Sequence, residues 1–355
     1  MKELTALDIH YLVKEFQTII DSKVDQIYQP GELLIRIHNS KTGKKIFRIS
    51  KNFIFLTDFK GEQPQNPKTF CTVLRKHIGN ARIRGIEQVG FERIIKFSLE
   101  KKNKFNLYVE LFAKGNIILT NENNKIVNLL KVNKRKNVLI GNIYEPPLRD
   151  VNFLTLKESE FKKIIKNSEE TLVKCLAKEI GLGGIYAEYV LEGINKEQKA
   201  SELKLKDLSN LFYNLSKLKD KKIKVSMYKK RPIPFEAEQP LNYSSFNEAL
   251  SEILIEELKK EEEERKNAPY LNKKSKIEKI IKVQKENLSK QEQEIKLNSE
   301  KAEMIYQHYK EIDDILKQLE IAKKTITWKE LKEKLKGHKL IKKVNEKNGT
   351  IEVEL

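Results

Sequence analysis

Thirteen positions between Ile277 and Leu319 recur at alternating spacings of four and three residues: Ile277, Ile281, Gln284, Leu288, Gln291, Ile295, Asn298, Ala302, Ile305, Tyr309, Ile312, Leu316 and Leu319. Alternation sustained over about six heptads keeps one helix face turned to one side, which is the pattern of a coiled coil. Its middle members, Gln284, Gln291 and Asn298, are polar, so the seam is weakest there. Two geometries fit: one long helix that dimerises, or an antiparallel hairpin turning near Lys296–Ser299, and the strict register favours the first. Upstream, Phe246, Leu250, Ile253 and Leu254 open an amphipathic helix, and Glu261–Glu264 continues it as a charged face. Asn267-Ala268-Pro269-Tyr270 predicts an interruption or kink. Beyond the seam, Trp328 opens a short helix, and strands Leu340–Val344 and Thr350–Leu355 form a hairpin around Asn348-Gly349.

A charged fraction of 34% against 39% hydrophobic residues suits a chain with long solvated helices, and 355 residues suggest two or three folding units. The net charge is +19. Residues 1–150 hold 27 Lys/Arg against 15 Asp/Glu, a net +12, so the first half is the basic one. A polyanion is the natural partner for it, and a diffuse lysine excess that binds nothing is the plainer alternative. Cys71 and Cys175 are too few and too far apart for a disulfide framework, and both read as buried free thiols in a reducing compartment. No metal-ligand spacing occurs among five His and two Cys. No apolar stretch approaches the ~18 residues of a membrane span, and the N-terminus lacks a signal-like core. The expectation is a cytoplasmic protein with no membrane partner, cofactor or metal.

The first half reads as a mostly antiparallel β-unit with two helices. Thr5 caps the first helix, with Asp8 in its opening turn. The second helix begins the stretch Phe70–Phe97, burying Phe70, Val73, Leu74 and Ile78 and ending at Gly79-Asn80. From Phe70 to Lys104 nine Lys/Arg face three Asp/Glu, a seat for phosphates or a merely solvated basic face. Further on, Leu172 to Val190 reads as two helices around Gly181-Leu182-Gly183-Gly184. Glycines let such a hairpin turn sharply and expose its amides to a backbone phosphate; a Gly-terminated helix followed by another is the plainer reading.

Ordered motifs in the first half resemble one known family. They are Ala6-Leu7-Asp8, Phe70-Cys71 with Leu74-Arg75-Lys76-His77, Gly90-Phe91-Glu92-Arg93, the run Glu110–Leu119, and Tyr144 with Pro146-Pro147. In order and spacing they resemble the NFACT proteins, the NEMF and RqcH group of ribosome-associated quality-control factors, also labelled fibronectin-binding-protein-A-like. The resemblance implies an α+β chain: a head over 1–150 similar to the Fpg/Nei glycosylase N-terminal β-sandwich, a helix-hairpin-helix domain over 151–220, connecting strands over 221–245 packing back on the head, a projecting two-helix antiparallel coiled coil over 246–326, and a short helix and hairpin over 327–355. Relatives continue into a further domain with no counterpart here.

The resemblance also implies function. NFACT proteins bind the large ribosomal subunit with peptidyl-tRNA still attached, and many recruit an aminoacyl-tRNA for untemplated tailing of the stalled chain. The residues implied in tRNA handling are Asp8 and the pair Glu92-Arg93, where Glu92 replaces the family's Asp with a side chain one methylene longer. Arg75, Lys76, Arg82, Arg84 and Arg93 are the expected phosphate contacts, with Lys114 and Lys134-Arg135-Lys136 as weaker ones, and Gly181, Gly183 and Gly184 form the hairpin turn. The arm offers a surface for a protein partner. The mechanism expected is a binding adaptor, not an enzyme, because the ribosome already positions the reacting groups. Base excision lacks its nucleophile, since the chain begins Met1-Lys2-Glu3 without the N-terminal proline of those glycosylases. Two other readings stand beside this one: an extracellular fibronectin binder, and a coiled-coil scaffold whose head binds nucleic acid non-specifically.

Overall fold

The structure, a computed structural model, describes residues 3–61, 67–134, 137–237, 239–345 and 348–354. Thr5 opens the first helix as expected: its hydroxyl accepts the Asp8 amide at 3.2 Å, and the Asp8 carboxylate accepts the Thr5 amide at 2.7 Å. This reciprocal capping box satisfies two donors that a helix start otherwise leaves bare. The helix, α1 (Ala6–Phe16), buries Leu7, Ile9, Tyr11, Leu12 and Phe16.

Nine strands and one helix follow: β1 (Lys23–Tyr28), β2 (Leu33–Asn39), β3 (Gly43–Ile49), β4 (Ile54–Thr57), α2 (Thr69–Ile78), β5 (Arg82–Gln88), β6 (Ile94–Glu100), β7 (Lys104–Glu110), β8 (Asn116–Asn121) and β9 (Ile126–Leu129). The strands form one sheet ordered β4-β3-β2-β1-β5-β6-β7-β8-β9, antiparallel throughout. β1 and β5 pair in register only at Lys23 and Arg82, whereas β2 and β3 pair along their whole length. Four strand spacings separate β3 from β6, roughly 19 Å in a flat sheet. Yet the Phe47 and Phe97 rings meet edge-on with centroids 5.2 Å apart. The sheet therefore folds over at its weak β1–β5 joint into two facing layers. Phe16 of α1 extends the same aromatic core, 5.1 Å from Phe47.

The next helices are α3 (Glu158–Asn167), α4 (Leu172–Lys174) leading into a π-helical turn (Cys175–Glu179), α5 (Gly184–Val190) and α6 (Leu205–Lys217). A small sheet of β10 (Ser226–Tyr228), β11 (Arg231–Ile233) and β12 (Gln239–Pro240) follows, in the order β11-β10-β12. These elements share one continuous core with the strands. Tyr11 of α1 packs edge-on against Phe235 at 5.0 Å, and its hydroxyl donates to the Leu218 carbonyl at 2.7 Å.

A 62-residue helix, α7 (Phe246–Gln307), begins on this unit. Glu15 of α1 accepts the Phe246 and Asn247 amides at 2.7 and 2.8 Å, capping the new helix from outside. Burial raises the Glu15 pKa, with the two amides opposing that shift. Asn247 bonds both the amide and the carbonyl of Leu56, covering edge strand β4.

The chain divides into two compact units, 1–261 and 262–355. Two expectations for the second unit are corrected. Residues 267–270 do not interrupt the helix, and Pro269 sits within α7. The carbonyl that loses its partner there lies on an exposed stretch, where water can replace the bond. The expected reversal near Lys296–Ser299 is also absent, because those residues are helical. No Gly or Pro occurs between Pro269 and Gly337, so neither of the two strongest helix breakers interrupts that stretch. The first irregularity is His308 (φ −102°, ψ 21°), with hydrogen bonds continuing across it into α8 (Tyr309–Lys323). The antiparallel two-helix coiled coil is therefore not formed within the described residues, and seam members such as Leu288 (56% exposed) and Ile295 (66%) face solvent. The expected short helix and hairpin are present as α9 (Trp328–Lys334), β13 (Ile341–Asn345) and β14 (Thr350–Val353). With Ile315 of α8 they bury Ile341 and Val344, with Trp328 and Leu335 partly buried against them.

Candidate nucleic-acid interface

The expected tRNA-handling residues gather around the first turn of α1. Asp8 is fully buried. One carboxylate oxygen accepts the Tyr186 hydroxyl of α5; the other accepts the Thr5 hydroxyl at 2.9 Å and the Arg231 guanidinium of β11. Burial, and then the Asp8 charge, push the Tyr186 pKa well above its ordinary value, so the phenol stays a donor. Sequence reasoning places Asp8 on a helix but misses both partners, which lie far along the chain.

The Gly90–Arg93 turn between β5 and β6 reaches the same place. Gln88 donates to the Ala6 carbonyl at 2.8 Å and to the Glu92 carbonyl at 2.9 Å, strapping the turn to α1. Arg93 pairs with Glu3 at 2.7 Å and donates to the Leu4 carbonyl at 3.4 Å. Glu92 points elsewhere: only 9% exposed, it accepts the Arg149 amide at 2.9 Å and lies 3.3 Å from the Arg149 guanidinium. Arg149, absent from the expected set, is thus a partner of Glu92.

The glycine turn closes the cluster. Gly181 and Gly183 have φ of +83° and +81°. A β-carbon on Gly183 would stand 2.9 Å from Thr5, and one on Gly181 would stand 2.3 Å from the Arg149 guanidinium. The left-handed φ values, with the turn backed onto Thr5 and Arg149, are what favour glycine at both positions. Gly184, the first residue of α5, faces open space.

The other expected contacts lie apart from this cluster. Arg75 donates to the Ile27 carbonyl at 2.7 Å and stacks over Tyr28, with Lys76 exposed beside it at the end of α2. Arg82 donates to the Asp21 carbonyl at 3.1 Å. Arg84 is held by Asp21 at 2.5 Å and Glu100 at 2.6 Å, so its charge is locally balanced. Lys114 sits at a turn before β8 with its carbonyl accepting the Lys131 ammonium. Arg135 and Lys136 lie outside the described residues. The basic stretch is therefore spread over the head, and one compact group is left: Asp8, Glu92, Arg93, Arg149 and Arg231, with Arg93 and Arg149 reaching solvent and Asp8 locked inside.

A folded-over antiparallel sheet, a glycine-turned helical pair and a long helix after them define an α+β chain of a kind found in one family. The chain belongs to that family: the model described as NFACT N-terminal and middle domains matches residues 5–352. It is 27% identical over 389 residues to the archaeal Rqc2 homolog aRqcH of Methanocaldococcus jannaschii, covering 99% of this chain and 58% of the relative. To the ribosome quality control complex subunit 2 of Saccharomyces cerevisiae it is 27% identical over 208 residues, covering 57% of this chain and 18% of that one. The chain thus spans little more than half of the first relative and under a fifth of the second. Its fold is similar to the N-terminal part of the fibronectin/fibrinogen-binding protein from Streptococcus suis, with a TM-score of 0.59 at 22% identity over 72% of this chain and all of that one.

Proposed function

We propose that this chain acts in ribosome-associated quality control, binding the obstructed large ribosomal subunit with its peptidyl-tRNA and positioning a tRNA for C-terminal tailing of the stalled nascent chain. The observation that carries this reading is the convergence of Asp8, the 90–93 turn and the 181–183 turn on residues 3–8, with Arg93 and Arg149 of that group reaching solvent. Membership in the family, with a yeast relative named as a subunit of the ribosome quality control complex, supports it. In this reading Arg93 and Arg149 meet phosphates, while Asp8 acts through Arg231 and Tyr186 as a positioning residue. Arg75 and Lys76 supply a second basic point on the head. The segment 151–220 serves as a helix-hairpin-helix domain, and 246–326 offers helical surface to a protein partner. No covalent chemistry is asked of the chain: a placed tRNA gains its rate from proximity.

The test is co-sedimentation of the chain with large subunits that carry peptidyl-tRNA, beside empty ones. Preferential recovery on the loaded subunits is the expected result, and equal recovery overturns the reading. The non-specific scaffold reading is separated by salt. It requires every lysine loss to weaken RNA binding equally, whereas a defined site responds to Arg93→Ala out of proportion.

A further inference from the structure

The hairpin at the end of the chain is bare along one edge. Among the described residues β13 pairs only with β14, so its outer N–H and C=O groups have no strand beside them. A two-stranded hairpin is marginal in water by itself, and a third strand adds stability. A groove of about 410 Å3 runs along that edge. Ile341, Lys342, Lys343 and Val344 line it with side chains from both faces of β13, and no described residue of β14 does. The groove therefore lies on the free side of the strand. Lys329 and Lys332 of α9, with Leu335 and Lys336 just after it, supply the other wall.

The charge of this groove is one-sided. Five of its ten lining residues are lysines, and one, Glu333, is acidic. Lys342 is engaged by Glu354 at 2.9 Å. Lys329, Lys336 and Lys343 have no acidic partner among the described residues. A bulge at Lys342 puts Ile341 opposite Val353 and Lys343 opposite Glu352. Ile341 and Val344 thus both turn into the small core, and the two lysines between them stay outside. Lysines on an exposed edge repel another copy of the same edge. The same charges attract a strand that carries acids. Trp328, the only Phe, Tyr or Trp between Thr327 and Leu355, is not in the lining, and Gly349 and Lys323 pack on its ring. A nucleobase would find no aromatic face to stack on.

We propose that the groove between α9 and β13 takes an extended acidic peptide of a protein partner, added as a third strand on β13. Its backbone bonds the free edge, its carboxylates meet Lys329, Lys336 and Lys343, and an aliphatic side chain rests on Leu335. This surface lies within residues 328–344 and is independent of the ribosomal reading.

The test is fluorescence anisotropy of the full chain with a fluorescein-labelled octapeptide of alternating valine and glutamate. Its controls are the same peptide N-methylated at every residue, an alternating valine–lysine peptide, and single-stranded polyuridine RNA. The expected result is saturable binding of the acidic peptide that falls as salt rises and that N-methylation abolishes. Lys336→Glu/Lys343→Glu should weaken that binding about tenfold. Both side chains are exposed, and a thermal melt checks that the variant folds. Lys336→Gln/Lys343→Gln, which removes the charges without reversing them, should give a smaller loss of the same sign. No saturable binding, unchanged affinity in both double variants, or equal binding of either control peptide overturns the proposal. Polyuridine that loses more affinity than the peptide through the same reversals makes the groove a nucleic-acid site and overturns it as well.

Discussion

The Arg231 guanidinium and the Asp8 carboxylate, 223 positions apart in sequence, form one ion pair whose side chains are 15% and 0% exposed. Arg231 Nε has no partner among the described residues, so Asp8 is the main anchor of that charge. Removing the acid leaves a cation in a dry place. Asp8→Ala should cost about 3–5 kcal/mol in urea unfolding, the usual penalty for breaking a buried pair from one side. The double variant Asp8→Ala/Arg231→Met should recover part of that loss, since both charges leave together. Loss of tRNA handling in Asp8→Ala alone would then reflect a displaced hairpin, and the double variant tells the two apart.

Neighbouring glycines should respond with opposite signs. Gly183→Ala forces a side chain into φ +81° and against Thr5, and should destabilise by about 1–3 kcal/mol. Gly184→Ala meets open space at the start of α5 and should stabilise by about 0.5–1 kcal/mol. Thermal melts of the two variants decide the matter, and equal effects would mean the turn is not packed on the N-terminal segment.

Two arginines expected to bind phosphate should separate in RNA binding. Arg84 already has Asp21 and Glu100 as partners, so Arg84→Ala should leave tRNA affinity within about twofold. Arg93 has one acid beside it, Glu3, against two for Arg84, and it stands in the α1 cluster, so Arg93→Ala should weaken affinity about tenfold and lower the salt slope by nearly one counterion. Binding isotherms at several salt concentrations check both.

His10 donates through Nε2 to the Lys219 carbonyl at 3.0 Å, and burial lowers its pKa from 6.5 despite that bond. The unfolded chain then binds more protons in the window between 6.5 and the lowered folded-state value. Stability should therefore rise as pH climbs toward 6.5 and fall as pH drops through the depressed folded-state value. His10→Gln should flatten that slope in pH-dependent unfolding, and an unchanged slope would assign the effect to other groups.

Both thiols should be silent. Burial raises the Cys71 pKa and pushes that of Cys175 up to about 11. A thiol reagent at neutral pH should modify neither until the chain unfolds, at which point both should react together. Early reaction of Cys175 would expose local opening at the π-helical turn.

Local signals carried the element boundaries. Thr5 with Asp8, the end of α2 at Gly79-Asn80, and the hairpin near Gly349 were legible because capping and turn chemistry act over three or four residues. The seam from Ile277 to Leu319 was legible too, as helix but not as hairpin, because periodicity fixes a helix face and says nothing about what covers it. The interior of the candidate site was not legible. Arg231, Tyr186 and Arg149 are ordinary residues in their own segments, and only folding over the β1–β5 joint and docking the helical pair bring them to Asp8 and Glu92. The sequence alone settled which stretches curl and which extend, since those are short-range preferences of the backbone. Which charges end up buried together was decided by tertiary packing, because desolvation depends on neighbours that no local window contains.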